Sequence, residues 1–317
     1  MDISNKPIYY SNQNALRLEW PPELSVKYGV LITFVDVEEQ NEVKYEVEVT
    51  RLKPGIEGQP LFLINRISDV FINESLPDLV ADRLADAAGK VFYPLVITLD
   101  NNGGFKTIYN YQEILKRWPA VKKKILNEFE GVFVENYLDK MEKRLPDRDI
   151  LELALFNNDW FIQAFFKPIY KQYGPSYTSE SLYKFPIAEN FKTDGYLTKE
   201  KLGEVTNDFG GIELLHEGTI LPTTGEMDRQ NNITGNYEGY YLLHPKVKRI
   251  LSIVSNFSYE EYHSKTVNVK IFAIPSDGHP FDTSFTLDTN ITGVPVTEMV
   301  IMDGPPQKSF LKRLLNI

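Results

Sequence analysis

The stretch from Asn110 to Tyr173 constrains this chain most, because its apolar residues recur at helical spacing while both flanks alternate at strand spacing. Ile114, Leu115, Trp118, Val121, Ile125, Leu126 and Phe129 follow the 3.6-residue period of an amphipathic helix. Asn110 with Glu113 reads as the capping pair that starts it. Pro119 either kinks this helix or restarts it. Gly131 is a break, and Val134, Tyr137, Leu138 and Met141 make a second helix that ends at Leu145-Pro146. Asp147 is placed to cap a third, carrying Ile150, Leu151, Ala154, Leu155, Phe161, Ile162, Phe165 and Phe166. Asn157-Asn158-Asp159 interrupts it, and Pro168 and Gly174-Pro175 end it.

Ahead of this block, Val43, Tyr45, Val47 and Val49 alternate with Glu42, Lys44, Glu46 and Glu48, which is a strand with one buried face. The apolar run Gly29 to Val37 precedes it, so the two make an antiparallel hairpin. Leu61 to Asn73 reads as another strand. Ser75-Leu76-Pro77-Asp78 reads as a helix start, and that helix stops near Gly89. Val91 to Asp100, the turn Asn101-Asn102-Gly103-Gly104 and Phe105 to Tyr109 form a second hairpin. Beyond residue 175 the chain is loop-rich and β-like, with strands at Tyr237–Leu243, Ile250–Phe257 and Lys265–Ile274. Gly304-Pro305-Pro306 then introduces a short basic amphipathic helix.

These elements predict an α+β fold, with a largely antiparallel sheet drawn from both flanks and packed on one side against the central helices. The chain divides into residues 1–175 and 176–317, or forms one continuous domain.

Composition removes whole classes of function. A net charge of −10 argues against nucleic-acid binding, which needs clustered Lys and Arg. The absence of Cys removes disulfides, zinc-thiolate sites and thiol nucleophiles. No apolar run is long enough to span a bilayer, and the first residues lack a signal-peptide pattern, so the expected location is the cytoplasm. His216, His244, His263 and His279 stand at no metal-ligand spacing, so no metal and no cofactor is expected. No Gly-x-Ser-x-Gly, Walker or Gly-x-Gly-x-x-Gly pattern occurs, and no catalytic residue is assigned. Asp100, Asp159, Glu213, Glu217 and Glu238 are the acids from which a carboxylate-pair hydrolase would draw.

Three readings follow, in this order. The first is a non-catalytic binding, adaptor or scaffold protein that meets a protein partner or a second copy of itself through Phe310, Leu311, Lys312, Arg313 and Leu314. The second is a carrier of a small molecule or lipid, with an apolar cavity between sheet and helices. Its candidate ligand-binding aromatics are Trp118, Trp160, Tyr237, Tyr240 and Tyr241. The third is the hydrolase.

Overall fold

Strand β1 (Ser25–Asp36) and strand β2 (Glu39–Arg51) pair antiparallel, and their register explains the hairpin. Tyr28 faces Val47, Val30 faces Tyr45 and Ile32 faces Val43, all toward the interior. Lys27/Glu48, Leu31/Lys44 and Thr33/Glu42 lie on the other face. A one-residue slip would turn this whole apolar set outward, and each buried Val or Ile contributes roughly 1.5–3 kcal/mol, so the register is strongly specified. The computed structural model describes residues 5–11, 14–36, 39–55, 58–187, 193–222 and 233–275.

The sheet continues with β3 (Leu61–Arg66), β4 (Phe71–Ile72), β5 (Leu95–Leu99) and β6 (Phe105–Ile108). After the helices come β7 (Thr178–Tyr183), β8 (Thr193–Leu202), β9 (Ile212–Pro222), β10 (Asn236–Leu243), β11 (Ile250–Glu260) and β12 (Ser264–Ile274). The result is one 12-stranded antiparallel sheet in the order β6-β5-β3-β2-β1-β12-β11-β10-β9-β8-β7, with β4 paired to β2. The join is β1 against β12, where Val30, Ile32 and Phe34 meet Ile271, Val269 and Val267. Strands from both sides of residue 175 therefore share one sheet.

The helices are α1 (Val80–Gly89), between β4 and β5, and α2 (Tyr111–Glu128), α3 (Val132–Arg144), α4 (Arg148–Asn158) and α5 (Trp160–Phe165), between β6 and β7. Gly131 at φ +107 starts α3 in a conformation that a side chain resists. Asp147 and Asp159 accept from the Ile150 and Ile162 amides, which caps α4 and α5. All six residues of α5 are buried, because the helix lies under the centre of the sheet. Phe165 packs against Tyr28 and Trp20, and Trp160 against Phe257.

Several local expectations differ from the structure. Ser75 does not cap a helix. Its backbone closes a turn with Ile72, Asn73 and Glu74 take positive φ, and α1 begins at Val80. The run Leu61–Asn73 breaks after Arg66, where the Ser68 hydroxyl accepts the Glu46 amide in place of a backbone carbonyl. The strand expected from Val91 starts only at Leu95, after a 3-10 turn and Pro94, which has no N–H to give a ladder. Asn110 precedes α2, yet its side chain joins Val96 N and Pro94 O instead of capping. Helix α2 runs unbroken through Pro119. Strands β8 and β9 replace what reads in sequence as loop. The C-terminal helix expected near residue 310 lies outside the described residues.

Candidate functional site

An apolar cavity of about 170 Å³ lies between the sheet and the helices. Ile32 and Phe34 of β1 and Val43 and Tyr45 of β2 form its sheet wall. Tyr137 and Met141 of α3 and Leu151, Ala154 and Leu155 of α4 face them. Ala85 of α1 and Trp160 of α5 also line it. Ile150 lines the cavity and is 46% exposed, which places the opening beside the start of α4.

The cavity has a polar portion as well. Arg66 is in phase with Phe62 and Ile64, so its side chain points to the interior. There it pairs with Asp86 at 2.8 Å, and its guanidinium sits over the Tyr93 ring at 5.4 Å. Lys90 reaches the same carboxylate at 3.2 Å. Burial pushes the Asp159 carboxyl up from its ordinary range, against the pull of the Ile162 and Phe161 amides and of Arg66. The Tyr45 and Tyr93 hydroxyls are likewise pushed up by burial and stay protonated. An apolar body with polar groups among its walls suits an amphiphilic guest better than a hydrocarbon.

One polar tie fastens α4 to the edge strand β6. Glu152 accepts from the Thr107 hydroxyl, the Ile108 amide and Arg148. Arg148 also donates to the Ile108 carbonyl. Leu153 and Phe156 of the same helix stay exposed, and Leu151 is its one buried residue.

A second interior cluster lies under β8, β9 and β10 and holds Lys167, His216 and Glu200. Lys167 Nζ is 2.9 Å from the Tyr237 hydroxyl, and that hydroxyl is 3.0 Å from His216 Nδ1. The rings of Tyr183, Phe185 and Tyr237 stand 4.6, 4.0 and 4.3 Å from Nζ. Burial pulls the Lys167 ammonium well below its usual range, and Glu200 opposes that pull. The three ring faces offset part of the desolvation as well. Glu200 accepts the Tyr183 hydroxyl and pairs with Lys171 at 2.6 Å. Gly239 makes this arrangement possible, since a Cβ there would meet the Tyr237 hydroxyl at 2.4 Å.

Burial also holds the His216 imidazole well below its usual range, with Lys167 and Lys171 as lesser causes. The unfolded chain binds a proton below about pH 6.5 that the folded chain refuses. Stability therefore rises with pH up to about that value and falls as pH drops below it. His216→Gln is expected to flatten the slope of stability against pH by as much as one proton, about 1.4 kcal/mol per pH unit. Urea midpoints across the acidic range measure it, and parallel slopes for the two proteins would contradict a neutral His216.

The sequence-derived candidates fall in different places. Trp160 lines the apolar cavity. Tyr237 and Tyr241 are fully buried in the Lys167 cluster, where the Tyr241 hydroxyl donates to the Ala164 carbonyl at 3.0 Å. Phe257, 5.0 Å from Trp160 and stacked on Tyr237, links the two regions. Tyr240 lies on the outer face and donates to Glu213. Trp118 is a buried residue of α2 and does not line the cavity. Phe310, Leu311, Lys312, Arg313 and Leu314 lie outside the described residues. Among the candidate acids, Asp100 closes the β5–β6 turn, and Glu217 faces Glu238 on the exposed outer face beside Lys199. Arg66, Asp86 and Tyr93 were not singled out from sequence, and Tyr45 was read only as part of the buried face of its strand. Of the three missed residues only Arg66 carried a signal, its phase with Phe62 and Ile64.

Among the described residues, no group of three or more His, Asp or Glu is placed to hold a metal, and no helix is long and apolar enough to cross a membrane. No family model and no curated protein matches the chain. A solved structure of lipovitellin is similar at TM-score 0.45 and 10% identity, over 81% of this chain and 25% of that one. The chain thus spans about a quarter of that protein's length. A LolA superfamily protein from Nitrosomonas europaea aligns over 85% of this chain and 93% of its own, at 8% identity and TM-score 0.15. Both TM-scores are under 0.5, and neither likeness bears on the assignment that follows.

Proposed function

We propose that this protein binds and carries a small amphiphilic molecule, with an apolar chain or ring held between the sheet and helices α1, α3 and α4. The carrying observation is the cavity of about 170 Å³, walled by Ile32, Val43, Met141 and Leu151 and bordered by the Arg66–Asp86 pair. An apolar cavity of roughly 150 Å³ stays dry and takes up a benzene-sized guest, so this one suits a single ring or a short chain. Burial of the guest supplies the affinity, at about 0.8 kcal/mol per methylene. Arg66, Asp86 and Asp159 supply hydrogen-bonding groups for a polar end. Exchange with solvent runs past Ile150, where α4 is pinned through Glu152 and Arg148.

Native mass spectrometry of the purified protein should show a co-purifying small molecule. Delipidated protein should then quench or shift an environment-sensitive fatty probe, with one site per chain. A protein that carries no guest and takes up no probe would sink the reading.

A further inference from the structure

On its α5 side the apolar cavity is followed, beyond Trp160, by a second hollow of about 240 Å³, which opens to solvent beside Val35 (37% exposed), with Asp36, Glu39 and Lys265 at its rim and Ile187 and Val267 in its wall. The two spaces share three wall residues: Phe34, Asn158 and Trp160. The Trp160 and Phe34 rings meet edge to face at 6.2 Å and 76°. Trp160 is 2% exposed and is held from behind by Phe257 at 5.0 Å. Asn158 is fixed by its bond to the Ala154 carbonyl at 2.8 Å. Phe34 of β1 and the side chains of Asn158 and Trp160 at the α4–α5 junction therefore stand between the two spaces.

We infer that Trp160, with Phe34, is a partition that sets the length of the bound chain. This rests on the carrier reading and names its specificity. The guest is an unbranched acyl or alkyl chain. A chain that fills the inner cavity abuts the indole, and a longer one has to leave its excess in water. Each added methylene should raise affinity about fourfold while it is buried, from about 0.8 kcal/mol apiece, and add nothing once the indole is reached.

The test is a homologous series of straight-chain fatty alcohols, titrated by displacement of a fluorescent probe from the full-length protein. The wild type should show affinity rising about fourfold per methylene and then a plateau. Trp160→Ala should move that plateau to longer chains, so that those beyond the wild-type limit bind at least about tenfold tighter than they bind the wild type. Removing a buried Trp destabilises a core, so Trp160→Leu and Phe34→Ala, which open the partition from either side, are measured alongside, with thermal melts to show that each is folded. The same plateau in the wild type and in every folded variant would overturn the partition and leave the carrier reading standing. Failure of the wild type to bind any alcohol or probe would overturn both.

Discussion

Glu200→Leu is expected to destabilise the protein by about 3–5 kcal/mol, the usual result of removing one partner from a buried ion pair. Glu200 is fully buried. It holds Lys171 at 2.6 Å and accepts the Tyr183 hydroxyl. Leucine would leave that ammonium, whose side chain is 15% exposed, facing an apolar wall. It would also remove the carboxylate acceptor of the buried Tyr183 phenol. Glu200→Gln keeps an acceptor for Tyr183 and should lose less. The double variant Glu200→Leu with Lys171→Met should recover much of the loss, because both charges leave together. Urea unfolding of the three variants measures this, and a loss below about 1 kcal/mol for Glu200→Leu would remove the pair from the account of stability.

Ala85→Phe is expected to weaken probe binding by at least about a hundredfold, while leaving the fold as stable as the wild type or more so by about 0.5–2 kcal/mol. Ala85 is buried on the cavity-facing side of α1 and lines the cavity. A benzene ring fits a cavity of roughly 150 Å³, so a phenyl group rooted at this position takes the place of the guest. The two readouts matter together. Lost binding with a lowered melting temperature would mean distortion, whereas lost binding at unchanged stability means occupation of the site. Undiminished binding would place the guest elsewhere.

The α+β class, the central helices and the β1–β2 hairpin were legible because local periodicity reports burial when one face is apolar. Val43, Val47 and Val49 show this in β2, and Asp147 announced its cap, whereas Asp159 read as a break and the structure makes it the cap of α5. Strands β8 and β9 were illegible because polar residues or glycine interrupt their buried faces, between Tyr196 and Leu202 in β8 and between Leu214 and Ile220 in β9. The inward positions of β8 include Thr198 and Glu200, and those of β9 include His216 and Gly218, while Leu197, Leu215 and Leu221 point outward. A buried polar network breaks up the pattern that sequence reading relies on. Asn110 failed as a cap for a related reason, since a better partner for its amide lay across the chain at Pro94 and Val96.

From its sequence alone, the chain was bound to fold with a helical block between antiparallel strands, to lack thiol chemistry and to carry a net charge of −10. Those properties follow from composition and from contacts between near neighbours. Tertiary structure alone decided that β1 meets β12, that Lys167, His216 and Glu200 gather under one half of the sheet, and that Trp160 stands between two hollows. These depend on contacts between residues far apart in the chain. A cavity is the space those contacts fail to fill, and no periodicity in the sequence records it.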